Sequence, residues 1–335
     1  MNSSRDAILL GVRSATDTHT AFRIREQIER RSGPIDVFGL IQRLSVSLLF
    51  RPLDGLLGAC LRMPDGIAGI LVTTRRSLHM QRFTAAHELG HYVLEHEGSF
   101  DREIRFPGQT KNRDLKEIAA DAFAAEFLMP KWLLKHHAKL HGWTSQKLRN
   151  PVNVYQLSLR MAVSYEATCL GLLAHQILDR ATVDSLRAVA PKKSKQQLLG
   201  DLALDDWRAH VWLLDEHDDG STIEGGPSDV FVTELPERAG SGYLWDTDAV
   251  ADAGCNIIED FGEQEDGDTI GGSSRRRIVL KAQQPGAHRL SLFEHRPWET
   301  KASALRSFDV SISTFGPEVD GLPRHFRPSL QPALH

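Results

Sequence analysis

Cysteine is scarce in this 335-residue chain. There are three, Cys60, Cys169 and Cys255, far apart and without a CxxC pair. An odd number of scattered thiols excludes a disulfide framework and a cysteine-built zinc site. Long apolar runs are also missing. The longest candidate, residues 169–178, is interrupted by His175 and Gln176, so no membrane-spanning helix is expected. The opening MNSSRDAILLGVRS lacks a basic leader followed by a sustained apolar stretch, and a soluble cytoplasmic protein is expected. No internal repeat or low-complexity segment stands out. There is no helix-turn-helix pattern or concentrated basic stripe either. Residues 152–173 carry one basic side chain, Arg160, so direct nucleic-acid binding is not expected.

What is present is an ordinary globular composition, 41% hydrophobic and 25% charged, in a chain long enough for two domains. Charge divides it. Residues 1–190 hold 25 Lys+Arg against 19 Asp+Glu, and residues 191–335 hold 15 against 25. Balances of +6 and −10 within a net of −4 predict two domains with different surfaces.

The texture divides at the same place. The first half reads as mainly helical, with helices over 21–31, 35–44, 81–96, 116–127, 131–141 and 152–178. Short apolar runs between Leu48 and Thr74 read as strands and turns. After residue 204 the pattern becomes VWLLDE, DVFVTEL, GYLW, RRIVLKA, HRLSLFEH and FDVSIST. These are short β-forming runs separated by Gly, Pro or Asp, the spacing of an all-β sandwich. The expected division is 1–189, a polar linker at 190–204, a β-domain at 205–315 and a proline-bearing, poorly ordered tail at 316–335.

The chemistry concentrates in RFTAAHELGHYVLEH. Residues four apart share a helix face, so His87 and His91 can point at one metal ion. Neutral imidazole suits zinc, and three protein ligands plus a water make a catalytic site. Glu88, next to His87, is placed to act as general base. Thr84 could help start this helix. The third ligand is expected at Glu117, in KEIAADAFAAEFLMP. Asp121 follows at i+4 and is expected to orient His87 or His91 through its other ring nitrogen. His96 is the alternative third ligand, but its i+5 spacing from His91 favours a role at the helix end. One Zn2+ per chain is expected, with Mn2+ compatible with the same donors. His136, His137 and His141 read as a solvated face, and Cys169 as a core residue.

These two stretches resemble the ImmA/IrrE-type zinc metallopeptidases over residues 20–180. LSLRMAVSYEATCLGLL resembles the helical segment that follows in that family. The resemblance implies a zincin-like α+β domain, mainly helical with a small sheet. It also implies an endopeptidase that cuts a cytoplasmic helix-turn-helix repressor in a stress or mobile-element response. It supports His87, Glu88, His91 and Glu117 as site residues. The strand GIAGILVTT is then expected to align an extended substrate.

The second half, residues 207–313, resembles the chagasin-like inhibitors of papain-type cysteine peptidases. GSGYLW (240–245), TIGGSS (269–274) and HRPWE (295–299) follow the order and spacing of that family's three loops. The resemblance implies an immunoglobulin-like sandwich. Gly242, Tyr243, Trp245, Gly271, Gly272, Arg296, Pro297 and Trp298 would form its partner-binding end. The family's Asn-Pro-Thr-Thr is replaced here by Arg238, Ala239, Gly240 and Ser241. This favours recruitment or regulation of the attached peptidase over inhibition of a cysteine peptidase. A non-catalytic binding protein or cysteine-peptidase inhibitor on a peptidase-like scaffold is the alternative.

Overall fold

The protein is described by a computed structural model over residues 3–63, 67–96, 99–101, 114–264, 274–299 and 304–324. It opens with α1 (Ser4–Ala21), an 18-residue helix that the sequence reading did not anticipate. The reason is its buried stripe of Ala7, Gly11 and Ala15, residues too small to write an apolar period. Two short helices follow, α2 (Ile24–Arg30) and α3 (Val37–Arg43). Asp36 starts α3 by accepting from the Gly39 N–H, a side-chain cap.

A small sheet comes next, from β1 (Ser47–Arg51), β2 (Gly58–Arg62), β3 (Ala68–Thr73) and β4 (Ser99–Asp101). Its order is β1-β3-β2-β4. β3 runs parallel to β1 and antiparallel to β2. This corrects the expected role of GIAGILVTT. β3 is interior, with both hydrogen-bonding edges occupied, and cannot align a substrate.

α4 (Leu78–Val93) lies against the sheet, and α5 (Leu115–Leu128) packs between α4 and α1. Small residues set both approaches. A Cβ on Gly90 would stand 3.2 Å from Ala120 Cα, and one on Gly11 would meet the Ala119 carbonyl and the Phe123 amide. The half is completed by α6 (Lys131–Leu140), α7 (Pro151–Arg160), α8 (Tyr165–Ala174) and α9 (Arg180–Arg187). The single helix expected over 152–178 is two, broken where Ala162 takes φ +50°. Cys169 is buried in this core.

The expected linker contains α10 (Pro191–Leu199). Pro191 suits the first helical position. Leu198 and Leu199 join the core of the second half, so polarity alone misread the segment.

The second half is β-rich, as its turn spacing predicted. β5 (Val211–Leu214), β7 (Val230–Glu237), β10 (Ser274–Ala282) and β9 (Cys255–Gln264) form one sheet. β6 (Thr222–Glu224), β12 (Arg306–Ser313), β11 (Ala287–His295) and β8 (Leu244–Asp246) form the other. Trp212, Phe231, Leu280, Leu290 and Phe308 belong to one shared core.

The halves are joined by more than the chain. Gln156 of α7 treats β5 as a neighbouring strand would: its amide donates to Val211 O (2.8 Å) and accepts from Leu213 N (2.9 Å). Arg160 pairs with Asp218 at 2.6 Å. Arg82 of α4, 1% exposed, pairs with Glu224 of β6 at 2.8 Å. Residues 316–324, expected within a poorly ordered tail, return to the first half. Gln81 exchanges two hydrogen bonds with the Glu318 backbone, and Gly321 pairs with Phe50 of β1. The rest of the expected tail lies outside the described residues.

Candidate metal centre and loop surface

α4 is the platform. It starts at Leu78, so Thr84 sits mid-helix rather than at its start. His87, Glu88 and His91 are all essentially buried, while Glu117 is 28% exposed. The α4–α5 approach brings Glu117 over the histidine pair. His87 Nε2 and His91 Nε2 are 3.0 Å apart, and each is 3.4 Å from a Glu117 oxygen. Burial would raise the Glu117 carboxyl, but hydrogen bonds and charge from His87 and His91 outweigh it and hold the group well below the usual carboxylate range.

The far side of each imidazole is held as well. Asp121 Oδ1 stands 2.8 Å from His87 Nδ1, and His96 Nδ1 stands 2.8 Å from His91 Nδ1. Asp121 thus faces His87, one of the two histidines expected for it. A carboxylate at Nδ1 draws the ring proton there and leaves the Nε2 lone pair for a cation. His96, the alternative third ligand, stands at the helix end and faces His91 Nδ1 instead. It gets there through a left-handed residue. Glu95 takes φ +56°, the His96 N–H bonds His91 O and the Glu95 N–H bonds Tyr92 O. This is a Schellman helix end built without glycine.

The donor set fits zinc. At metal–nitrogen distances of about 2.0–2.1 Å, tetrahedral donors stand about 3.3 Å apart. The three separations above bracket that value, so the trio has the spacing of a metal site. A second trio, His141, Asp215 and His217, does not fit as well. Arg160 Nε donates to His141 Nε2 at 2.9 Å. That places the His141 proton on Nδ1, the atom a metal would need.

Glu88 has a neighbour that sequence could not reveal. A Cβ on Gly58 of β2 would stand 2.6 Å from Glu88 Oε1 and 2.5 Å from Thr84 Cγ2. The bare backbone of β2 therefore makes the space in which the carboxylate lies. Two residues along, burial and the nearby Glu88 charge push the Cys60 thiol up to about 12. It stays protonated at neutral pH and lies outside the trio of candidate ligands.

The histidines after α5 are not a solvated face. His137 and His141 are buried and His136 is half-buried. They lie where the halves meet, and His136 bonds Ser32.

At one end of the β-rich half, two of the three expected loops come together. Trp298 is 66% exposed, and its ring edge lies against Gly242, which takes φ +77°. Arg296 stacks on the Tyr243 ring at 4.6 Å and donates to Ser241 O. Pro297 is exposed beside them. Trp245 does not belong to this surface. It is 5% exposed, lies in the core and donates to Pro236 O, because strand alternation turns it inward. Gly271 and Gly272 lie outside the described residues.

Two family models match separate parts of the chain. Residues 41–173 match the family model of the IrrE N-terminal-like domain, Peptidase_M78. Residues 227–312 match that of the chagasin family peptidase inhibitor I42. Among curated proteins none matches. Three solved structures are similar to about a third of this chain. One is the cysteine protease inhibitor EhICP2 from Entamoeba histolytica, at 25% identity over 32% of this chain and 99% of that one, with a TM-score of 0.29. Amebosin gives 20% identity, 31% and 97% coverage, and 0.24. PbICP-C, in a complex with falcipain-2, gives 18% identity, 35% and 95% coverage, and 0.20. The chain thus joins a mainly helical segment similar to the M78 domain to a β-rich segment similar to the chagasin inhibitors.

Proposed function

We propose that the first half is a zinc-dependent endopeptidase domain of zincin-like architecture, with His87, His91 and Glu117 holding the metal and Glu88 as general base. The observation that carries this reading is the convergence of His87 Nε2, His91 Nε2 and a Glu117 carboxylate within 3.4 Å of one another, with Glu88 adjacent on α4. Zinc held by His87, His91 and Glu117 would supply polarisation of a carbonyl and a lowered pKa of water, towards 7. Glu88 takes the proton of the attacking water and passes it to the leaving amine. Asp121 and His96 keep the two imidazoles aimed while this happens. The donors also accept manganese.

The substrate we propose is a cytoplasmic helix-turn-helix repressor, cleaved in a stress or mobile-element response, a reading that the likeness to the IrrE N-terminal-like domain supports. The chain reaches DNA only through that protein. The second half, read as an immunoglobulin-like sandwich, recruits or regulates through Tyr243, Arg296 and Trp298. Exposed Trp with a stacked Tyr–Arg pair is the composition of a binding hot spot. That same cluster favours a second reading, in which the chain is a non-catalytic binding protein or a cysteine-peptidase inhibitor.

Elemental analysis of wild type, Glu88→Gln and Glu117→Ala separates these readings, with each protein then incubated with purified helix-turn-helix repressors and with a papain-type peptidase. We expect one zinc per chain in wild type and Glu88→Gln, a loss of metal in Glu117→Ala, and repressor cleavage by wild type alone. Metal-free wild type that cleaves nothing after zinc is restored, yet blocks the cysteine peptidase, would establish the second reading instead.

A further inference from the structure

An open cleft of about 880 Å³ lies between the two halves. Pockets for small molecules are commonly of this size and commonly lie between domains. Its walls are mainly apolar, with Leu78, Leu159 and Val163 on one side and Trp207, Trp212 and Pro227 on the other. The buried or paired charges that reach it are already engaged. Lys195 Nζ donates to the carbonyls of Trp207 and Ala209. Arg187 pairs with Glu166 at 2.6 Å. Asp229 accepts from His210 N, Trp212 Nε1 and Gly226 N, and Glu224 holds Arg82. Asp206 and Arg208, both exposed, offer opposite signs at the rim. A charged ligand would find no uncommitted counter-charge of one sign inside.

Two imidazoles line the same cleft, His79 and His210. His79 Nε2 bonds Ser77 Oγ at 3.1 Å, and His210 Nδ1 lies 3.4 Å from the Tyr155 hydroxyl. Among the described residues, His79 Nδ1 and His210 Nε2 have no hydrogen-bond partner. Burial, reinforced by the neighbouring His210, lowers His79 to about 4, and burial lowers His210 as well. Both rings are neutral at pH 7, and each keeps one nitrogen for a polar ligand group.

We propose that this cleft binds an uncharged, largely apolar small molecule carrying a hydroxyl or carbonyl, held at its polar end by His79 and His210. The apolar walls take the body of the ligand, and the committed charges select against ions. The N-cap and first turn of α4 supply Ser77, Leu78 and His79 to the lining, so the ligand touches the helix that carries His87 and His91.

The test uses the full chain with Nile red as a neutral apolar probe, displaced by 2-naphthol or by naphthalene. Val163→Trp fills the interior, and Ala190→Trp, on exposed backbone at the lining, keeps the test open should the first variant fail to fold. We expect saturable one-to-one Nile red binding, weakened at least tenfold by either tryptophan with the melting temperature held. 2-Naphthol should compete about tenfold better than naphthalene, and His210→Phe should erase that advantage. Non-saturable binding, or binding that survives both tryptophans, would overturn the proposal. So would equal competition by the two naphthalenes, or tighter binding of anionic 1-anilinonaphthalene-8-sulfonate at the same place.

Discussion

A methyl group on Gly58 would meet the tips of two side chains, Glu88 Oε1 at 2.6 Å and Thr84 Cγ2 at 2.5 Å, rather than backbone. Side-chain tips can move, so Gly58→Ala should fold. What it displaces is the proposed base. We expect zinc content near one per chain and peptide cleavage reduced at least tenfold, checked by elemental analysis beside turnover. His96→Ala should act in the other way. It removes the group at His91 Nδ1 and should weaken zinc affinity by roughly 10–100-fold, measured by competition with a chelating dye. The contrast between these residues and His87, Glu88, His91 and Glu117 shows what the sequence makes legible. HELGH and ExxxD encode their geometry in helical spacing. His96 depends on a left-handed Glu95, and Gly58 depends on a strand meeting a helix thirty residues away in sequence. Neither relation has a local period.

Among elements, the most demanding contact is α1 on α5. There a Cβ on Gly11 would meet the Ala119 carbonyl and stand 2.8 Å from the Phe123 amide, both backbone atoms. Neither can yield without separating the helices, so Gly11→Ala should destabilise the protein by about 1–3 kcal/mol or more, read as a lower urea midpoint. Because α5 carries Glu117, zinc affinity should fall with it. α1 was unreadable for the same reason that it packs closely: its buried face is Ala7, Gly11 and Ala15. The strands of the second half were readable because Val, Ile, Leu and Phe recur between turn residues, as in VFVTEL and RLSLF. β6 and β9 escaped. The first is three residues long, and the second mixes Glu, Asp and Gly into its run. α10 was lost to its polar composition, although Pro191 marks its start.

For the whole molecule, the junction is where acid should act first. His137 is fully buried near His136, Arg160 and His141, and burial, with those neighbours, lowers it to about 3. Above pH 6.5 the ring is neutral in folded and unfolded chains alike. As pH falls from 6.5 towards 3, the unfolded chain takes up a proton that the folded chain refuses, so stability drops through that window. Urea midpoints should fall between pH 7 and 5, and His137→Phe should flatten the fall. No sequence pattern announced this junction, since the pairs Arg82–Glu224 and Gln81–Glu318 lie 142 and 237 residues apart.

Gly321 pairs with Phe50 on the outer edge of β1. On the ribosome, a chain made N-terminus first at about 5–20 residues per second exposes β1 for many seconds before residue 321 exists to cover it. Throughout that interval the growing polypeptide carries an open strand edge, available to a chaperone or to another nascent copy. Completing the peptidase-like half therefore waits for residues made long after its candidate metal ligands.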